Sequence, residues 1–172
     1  TMVEKDVLPA PGCVRPPFRA DSIAVGDYYL DHHHSKMHLP PGERLEENYP
    51  SNAAFQVSWG CMVPESVDGL IAAEKCISVS HIVNGCSRLQ PVATLLGQVA
   101  GAAAGVCVKK GCEPRALSAE DVQAVLHDEK VMMYVYTDLD HTLPCFTAVQ
   151  KLALTGMMPA EEPFRFQPKK KI

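Results

Sequence analysis

Ile71-Ala-Ala-Glu-Lys-Cys-Ile-Ser-Val-Ser-His81, Asn84-Gly-Cys-Ser-Arg-Leu-Gln-Pro91 and Gly97-Gln-Val-Ala-Gly-Ala-Ala-Ala-Gly105 together decide how this chain reads. Leu70 to Ala73 has the continuous apolar character of a fully buried strand. His81, Asn84 and Arg88 then read as a polar loop, and Pro91 opens a helix at a position where a missing N–H is harmless. Lys109, Lys110 and Gly111 close that helix with the charge and cap a C-terminus favours. Gly97, Gly101 and Gly105 recur every fourth residue and give the helix one smooth face. The spacing predicts close approach of a neighbouring strand or a flat ligand, not solvent. A helix N-terminus aimed at a loop of this kind suits an anionic or electron-rich ligand.

Around this centre the pattern is mixed. Ser22-Ile-Ala-Val25 and the alternating Phe55-Gln-Val-Ser-Trp59 read as strands. Ser118 with Asp121 is a capping-box-like start for a helix to about His127. Val131 to Tyr136 has strand character. A last helix is expected from about Leu143 to Thr155, with Phe146, Val149, Leu152 and Ala153 on one face and Gly156 as its stop. The proline-rich residues 1–20 read as an extended arm that needs a partner surface to become ordered. The expected fold class is α/β or α+β. Residues 21–130 would form the principal domain and 131–172 a small helical appendage.

Composition bounds the function. The 172 residues carry a formal net charge of −4, which leaves no nucleic-acid footprint. The apolar stretch Leu89–Val108 is interrupted by Gln90, Thr94 and Gln98, so no membrane span is expected. Seven cysteines are an odd count with no Cys-x-x-Cys, which argues against zinc frameworks and thioredoxin-like motifs. Cys61, Cys76 and Cys107 are expected in the core as reduced thiols, in keeping with a cytoplasmic setting. Asp31-His-His-His34 with His38 invites a metal reading. Alternation along a strand would let only His32 and His34 converge, so a polar loop is the preferred reading and no metal site is assigned.

The ordered set resembles the C-terminal segment of the FAD-dependent oxidoreductase family, over roughly residues 20 to 130. The residues that carry it are Ala24-Val-Gly-Asp-Tyr28, Phe55-Gln-Val-Ser-Trp-Gly-Cys-Met-Val-Pro64, Leu70-Ile-Ala-Ala-Glu-Lys75, Ser80-His81, Arg88, Pro91 and Gly97-Gln-Val-Ala-Gly101. The resemblance implies the C-terminal part of a flavin-binding Rossmann-like fold and FAD as cofactor. Ala73 and Glu74 would meet the ribityl chain, and Pro91, Val92 and Ala93 the pyrimidine edge of the ring. His81 and Arg88 would handle a small organic substrate whose hydride passes to the flavin. Glu74 stands where many relatives carry glycine, and a carboxylate there would crowd the cofactor.

No Gly-x-Gly-x-x-Gly occurs in the chain, and glycines spaced by four on a helix are a packing face, not a phosphate cradle. The expected partner is therefore an N-terminal flavin-binding portion, in the same protein or a second chain. The chain alone is expected to be inactive. A further resemblance links Thr137-Asp138, Asp140-His141, Ala148, Leu152, Gly156, Phe164-Arg-Phe166 and Pro168 to one S-layer homology repeat. A packing appendage is preferred there over a wall-binding module. The alternative for the whole chain is a non-catalytic carbohydrate- or cell-wall-binding or structural module that has lost FAD.

Overall fold

The computed structural model describes residues 1–31, 54–158 and 164–167. His32 to His34 and His38 lie outside the described residues. The fold mixes helix and strand. Strand β1 (Ser22–Gly26) pairs antiparallel with β2 (Phe55–Ser58). Ile23, Ala24, Phe55 and Val57 are all buried. At the end of the ladder Gly26 faces Phe55, where a Cβ would stand 2.4 Å from the ring. A glycine at that position lets the phenyl ring lie over the strand.

The α-helices among the described residues are α1 (Glu4–Val7), α2 (His81–Ser87), α3 (Gln90–Lys110), α4 (Ala119–Asp128) and α5 (Phe146–Leu154). Helix α3 packs on β1, on α4 and on a 3-10 turn at Glu74–Cys76. It buries Val92, Ala93, Leu96, Val99, Ala103 and Val106, a stripe at helical spacing. Gly111 caps it in the left-handed conformation, as the sequence predicts. The Ser118–Asp121 capping box of α4 forms as expected, with both reciprocal bonds at 3.2 Å. Among the described residues α3 is long and apolar enough, by length and composition, to cross a membrane, although the sequence reading discounted this stretch.

Several expectations are overturned. Leu70–Ala73 is not a buried strand: it runs without secondary structure and Leu70 is 49% exposed. Ala72 N–H bonds Met62 O at 2.7 Å, and Ala73 O accepts from Cys76 N–H at 3.0 Å within the turn that follows. A strand is stabilised by a neighbour's ladder, and none of the described residues provides one here. Val131–Tyr136 is also no strand, yet it lies beside the sheet. Val131 N–H bonds Leu126 O at 2.9 Å, and the backbone of Met133 and Tyr134 bonds side chains. Gln150 Oε1 accepts from the N–H groups of Met133 and Tyr134, both at 2.9 Å, and Gln150 Nε2 donates to Tyr134 O at 2.8 Å. Met133 O accepts from Ser22 Oγ and Gln56 Nε2. Gln150 therefore takes the inward place on α5 assigned to Leu152, which is exposed. Helix α5 starts at Phe146 because Pro144 disfavours helical backbone at Leu143.

The proline-rich arm finds its partner surface within the chain. Met2 and Val7 are buried, Met2 bridges in parallel to Val79, and Asp6 pairs with Arg19 at 2.5 Å. Cys61 is buried as expected and Cys107 half-buried, but Cys76 is exposed on its 3-10 turn.

The glycine face of α3 is the largest correction. A Cβ at Gly97, Gly101 or Gly105 would meet nothing within 4 Å, so no part of the described chain lies against it. Two stability measurements follow from this packing. Gly101→Ala is expected to raise unfolding free energy by about 0.5–1 kcal/mol through helix propensity alone. Gln150→Ala strands two N–H groups and one carbonyl in the core, for an expected loss on the order of 3 kcal/mol. Urea unfolding reads both. A destabilised Gly101→Ala variant, or a Gln150→Ala loss under ~1 kcal/mol, would contradict the packing described.

Candidate active site at the N-terminus of α3

Helix α2 replaces the polar loop expected from the sequence. Ser80 Oγ accepts from Val83 N–H at 3.2 Å and caps it, and Ser80 Oγ also donates to Glu4 Oε1 at 2.7 Å. His81 thus occupies the first helical position and is exposed. Arg88 is the C-cap at the other end. Seven helical residues rise roughly 10 Å, so the two side chains are carried apart. Arg88 Nη2 donates to Asp31 O at 3.1 Å and lies 3.6 Å from the Asp31 carboxylate. Gly85 sits against the same segment: a Cβ there would stand 2.6 Å from Asp31 O. Arg88 and Gly85 together fix the chain leaving β1 onto α2.

That segment forms one wall of a cavity of about 390 Å³. Val25, Gly26, Asp27 and Tyr28 line one side, Met132, Val135 and Tyr136 another, and Leu89, Pro91 and Val92 close it at the start of α3. The volume falls in the range of small-molecule sites, and the lining is mostly apolar and aromatic. Among the described lining residues Asp27 is the one acidic or basic side chain. Burial, then the neighbouring Tyr134, pushes the Tyr136 phenol up to about 12, and its hydroxyl donates to Met158 O. Tyr136 is therefore a neutral wall at physiological pH.

The start of α3 is chemically open. Leu89 is the N-cap and offers no side-chain acceptor, and Pro91 has no N–H. Ala93 N–H closes the first turn onto Leu89 O at 2.9 Å. The N–H groups of Gln90 and Val92 make no hydrogen bond to a described residue. Of these two residues Val92 lines the cavity and Gln90 does not, and the positive end of a 21-residue helix stands beside it.

The structure brings only some of the expected site residues together. Pro91 and Val92 line the cavity. Ala93 is buried beneath them with its N–H already used. Ala73 and Glu74 lie at the 3-10 turn beside α3 and are not among the lining residues. Glu74 is exposed with φ of 55°, the left-handed region that glycine occupies without strain. The backbone there is the one a glycine would favour, although the side chain is a carboxylate. Sequence reasoning passed over Tyr28, Met132 and Tyr136 because they come from segments distant in the chain. It also passed over Gly85, for which a glycine inside a helix was the available signal.

A family model described as FAD dependent oxidoreductase matches residues 1–126. The chain belongs to that family. The matched span runs from the N-terminal arm into α4 and contains α3 whole. The segment from Val131 onward, which closes the cavity with Met132, Val135 and Tyr136, lies outside it. No curated protein and no solved structure matches the chain.

The cofactor that the family implies can be tested against this site. The ring half of FAD fits: an apolar, aromatic cavity is closed by the start of α3, where Val92 has an N–H that bonds no described residue. The pyrophosphate half finds no glycine-rich cradle in the 172 residues.

Proposed function

We propose that this chain forms the ring-facing part of the site of an FAD-dependent oxidoreductase that takes a hydride from a small organic substrate. The observation that carries the reading is the uncapped start of α3, where the N–H groups of Gln90 and Val92 bond no described residue and Leu89, Pro91 and Val92 line an apolar cavity. Bound FAD would supply the hydride acceptor. The chain's own contribution is electrostatic and positional. The two N–H groups and the helix dipole would stabilise negative charge at the pyrimidine edge of the reduced ring. Tyr28, Pro91, Val92 and Tyr136 would exclude water from its faces.

For Arg88 we propose a positioning role exerted through Asp31, which holds the Asp27–Tyr28 wall in place. His81, exposed at the start of α2, is proposed as the proton-transferring group on the substrate side. Ala73 and Glu74 are proposed to meet the ribityl chain from the turn beside α3. The pyrophosphate cradle would come from an N-terminal flavin-binding portion, of the same protein or of a partner chain. The segment Leu70–Ala73, which forms no strand, and the open glycine face of α3 would be surfaces it covers. Residues 131–172 we read as a packing appendage, since Ser22 and Gln56 bond Met133 O from the sheet and Tyr136 lines the cavity.

Titrating FAD into this 172-residue chain and following flavin fluorescence tests the two-part reading. Half-saturation is expected well above about 1 μM, because most polar groups of the cofactor lack partners here. Tighter binding by the chain alone would contradict the need for a second portion. The assembled protein, purified with its flavin-binding portion, is expected to carry flavin absorbance. Colourless assembled protein that takes up no added FAD would overturn the flavin reading itself.

A further inference from the structure

Cys107 and Cys112 lie at opposite ends of the turn that stops α3. Gly111 adopts the left-handed conformation, with φ of 62°. Its N–H is bonded to Val108 O at 3.4 Å, and the next N–H, that of Cys112, reaches back to Cys107 O at 3.1 Å. This is the Schellman arrangement, in which the residue after the left-handed glycine packs against the residue five positions earlier. Those two residues are the cysteines. A backbone N–H held 3.1 Å from a carbonyl oxygen keeps the two Cα atoms within about 7 Å from bond lengths alone. That is the limit a disulfide can bridge without backbone movement. Both side chains are half-buried, so small oxidants reach them from solvent. Burial, then the neighbouring Cys112 and Glu113, push the Cys107 thiol up.

We propose that Cys107 and Cys112 are a redox-active pair that closes to a reversible intramolecular disulfide with a low-molecular-weight disulfide as oxidant. One thiolate attacks a sulfur of the oxidant, forms a mixed disulfide and releases one small thiol. The second thiolate attacks the protein sulfur of that mixed disulfide, forms the Cys107–Cys112 bond and releases the second small thiol. The protein gives up two electrons and two protons, and the oxidant becomes two thiols. The bond would fasten the C-terminal cap of the helix whose other end opens the candidate site. The proposal is independent of the flavin reading.

The chain itself provides the assay. Lys109 and Lys110 lie between the two cysteines, and Arg88 and Arg115 flank them. Trypsin therefore separates Cys107 and Cys112 onto different peptides unless a disulfide joins them. Folded protein is incubated with oxidised glutathione, alkylated, and digested without reductant. The expected product is residues 89–109 joined to the peptide carrying Cys112, lost on reduction, with exposed Cys13, Cys76 and Cys145 found as glutathione adducts. Cys112→Ser should abolish the joined species. Gly111→Val, which disfavours the left-handed cap, should lower its yield several-fold while the adducts at the exposed cysteines persist. Recovery of Cys107 and Cys112 only as free thiols or separate adducts, while the exposed cysteines react, would overturn the proposal. So would undiminished joining in Gly111→Val, because the cap geometry would then play no part.

Discussion

A chain that leaves the sheet after two strands must still satisfy its buried N–H and C=O groups, and here side-chain amides meet that requirement. Gln150 takes both N–H groups and a carbonyl of the 133–134 backbone. Gln56 bonds the N–H and carbonyl of Arg19 and the carbonyl of Met133. Gln123 donates to the carbonyls of Ala20 and Ser22. All three residues are buried. Gln56 and Gln123 tie neighbouring segments to the two-stranded sheet, Gln150 ties the 133–134 backbone to α5, and the cavity walls follow from those ties. Tyr28 and Asp27 leave the end of β1, while Met132, Val135 and Tyr136 stand on the segment that Gln150 anchors. Low dielectric strengthens these bonds and makes each of them costly to lose.

The start of α3 is the complementary case, in which backbone donors are left unpaired. Most helices supply a serine, threonine, aspartate or asparagine at the N-cap. This one supplies Leu89, followed at once by a proline. The same chain caps α2 with Ser80 and α4 with Ser118, whereas α3, like α5, has no side-chain cap. Unpaired donors beside a cavity are a standing demand for an electron-rich acceptor. FAD is the cofactor the family implies, and the apolar lining is why its ring half is the part proposed to lie there.

Local signals made much of this legible in the sequence. Gly111 as a helix stop, Ser118–Asp121 as a capping box, and Phe55 to Ser58 as a strand are each decided within a few residues, and each stands in the structure. The errors have a common origin. Leu70–Ala73 and Val131–Tyr136 have strand composition, but a strand exists only if another backbone pairs with it, and composition does not contain the partner. His81 to Arg88 looked like a loop because its polar residues were counted and the Ser80 cap was overlooked. The cavity joins residues more than one hundred positions apart, which no spacing rule reveals. The glycine face of α3 was read correctly as smooth, yet smoothness does not say what lies against it.

The most direct measurement uses the ring without the pyrophosphate. Riboflavin titrated into the isotopically labelled chain reports, residue by residue, where an isoalloxazine ring settles. The account requires amide shifts concentrated at Gln90 and Val92, with changes at Tyr28 and Tyr136, and their loss in Leu89→Asp, whose carboxylate would cap the helix and repel the ring edge. Shifts centred elsewhere, or unmoved Gln90 and Val92 amides at saturating riboflavin, would contradict it.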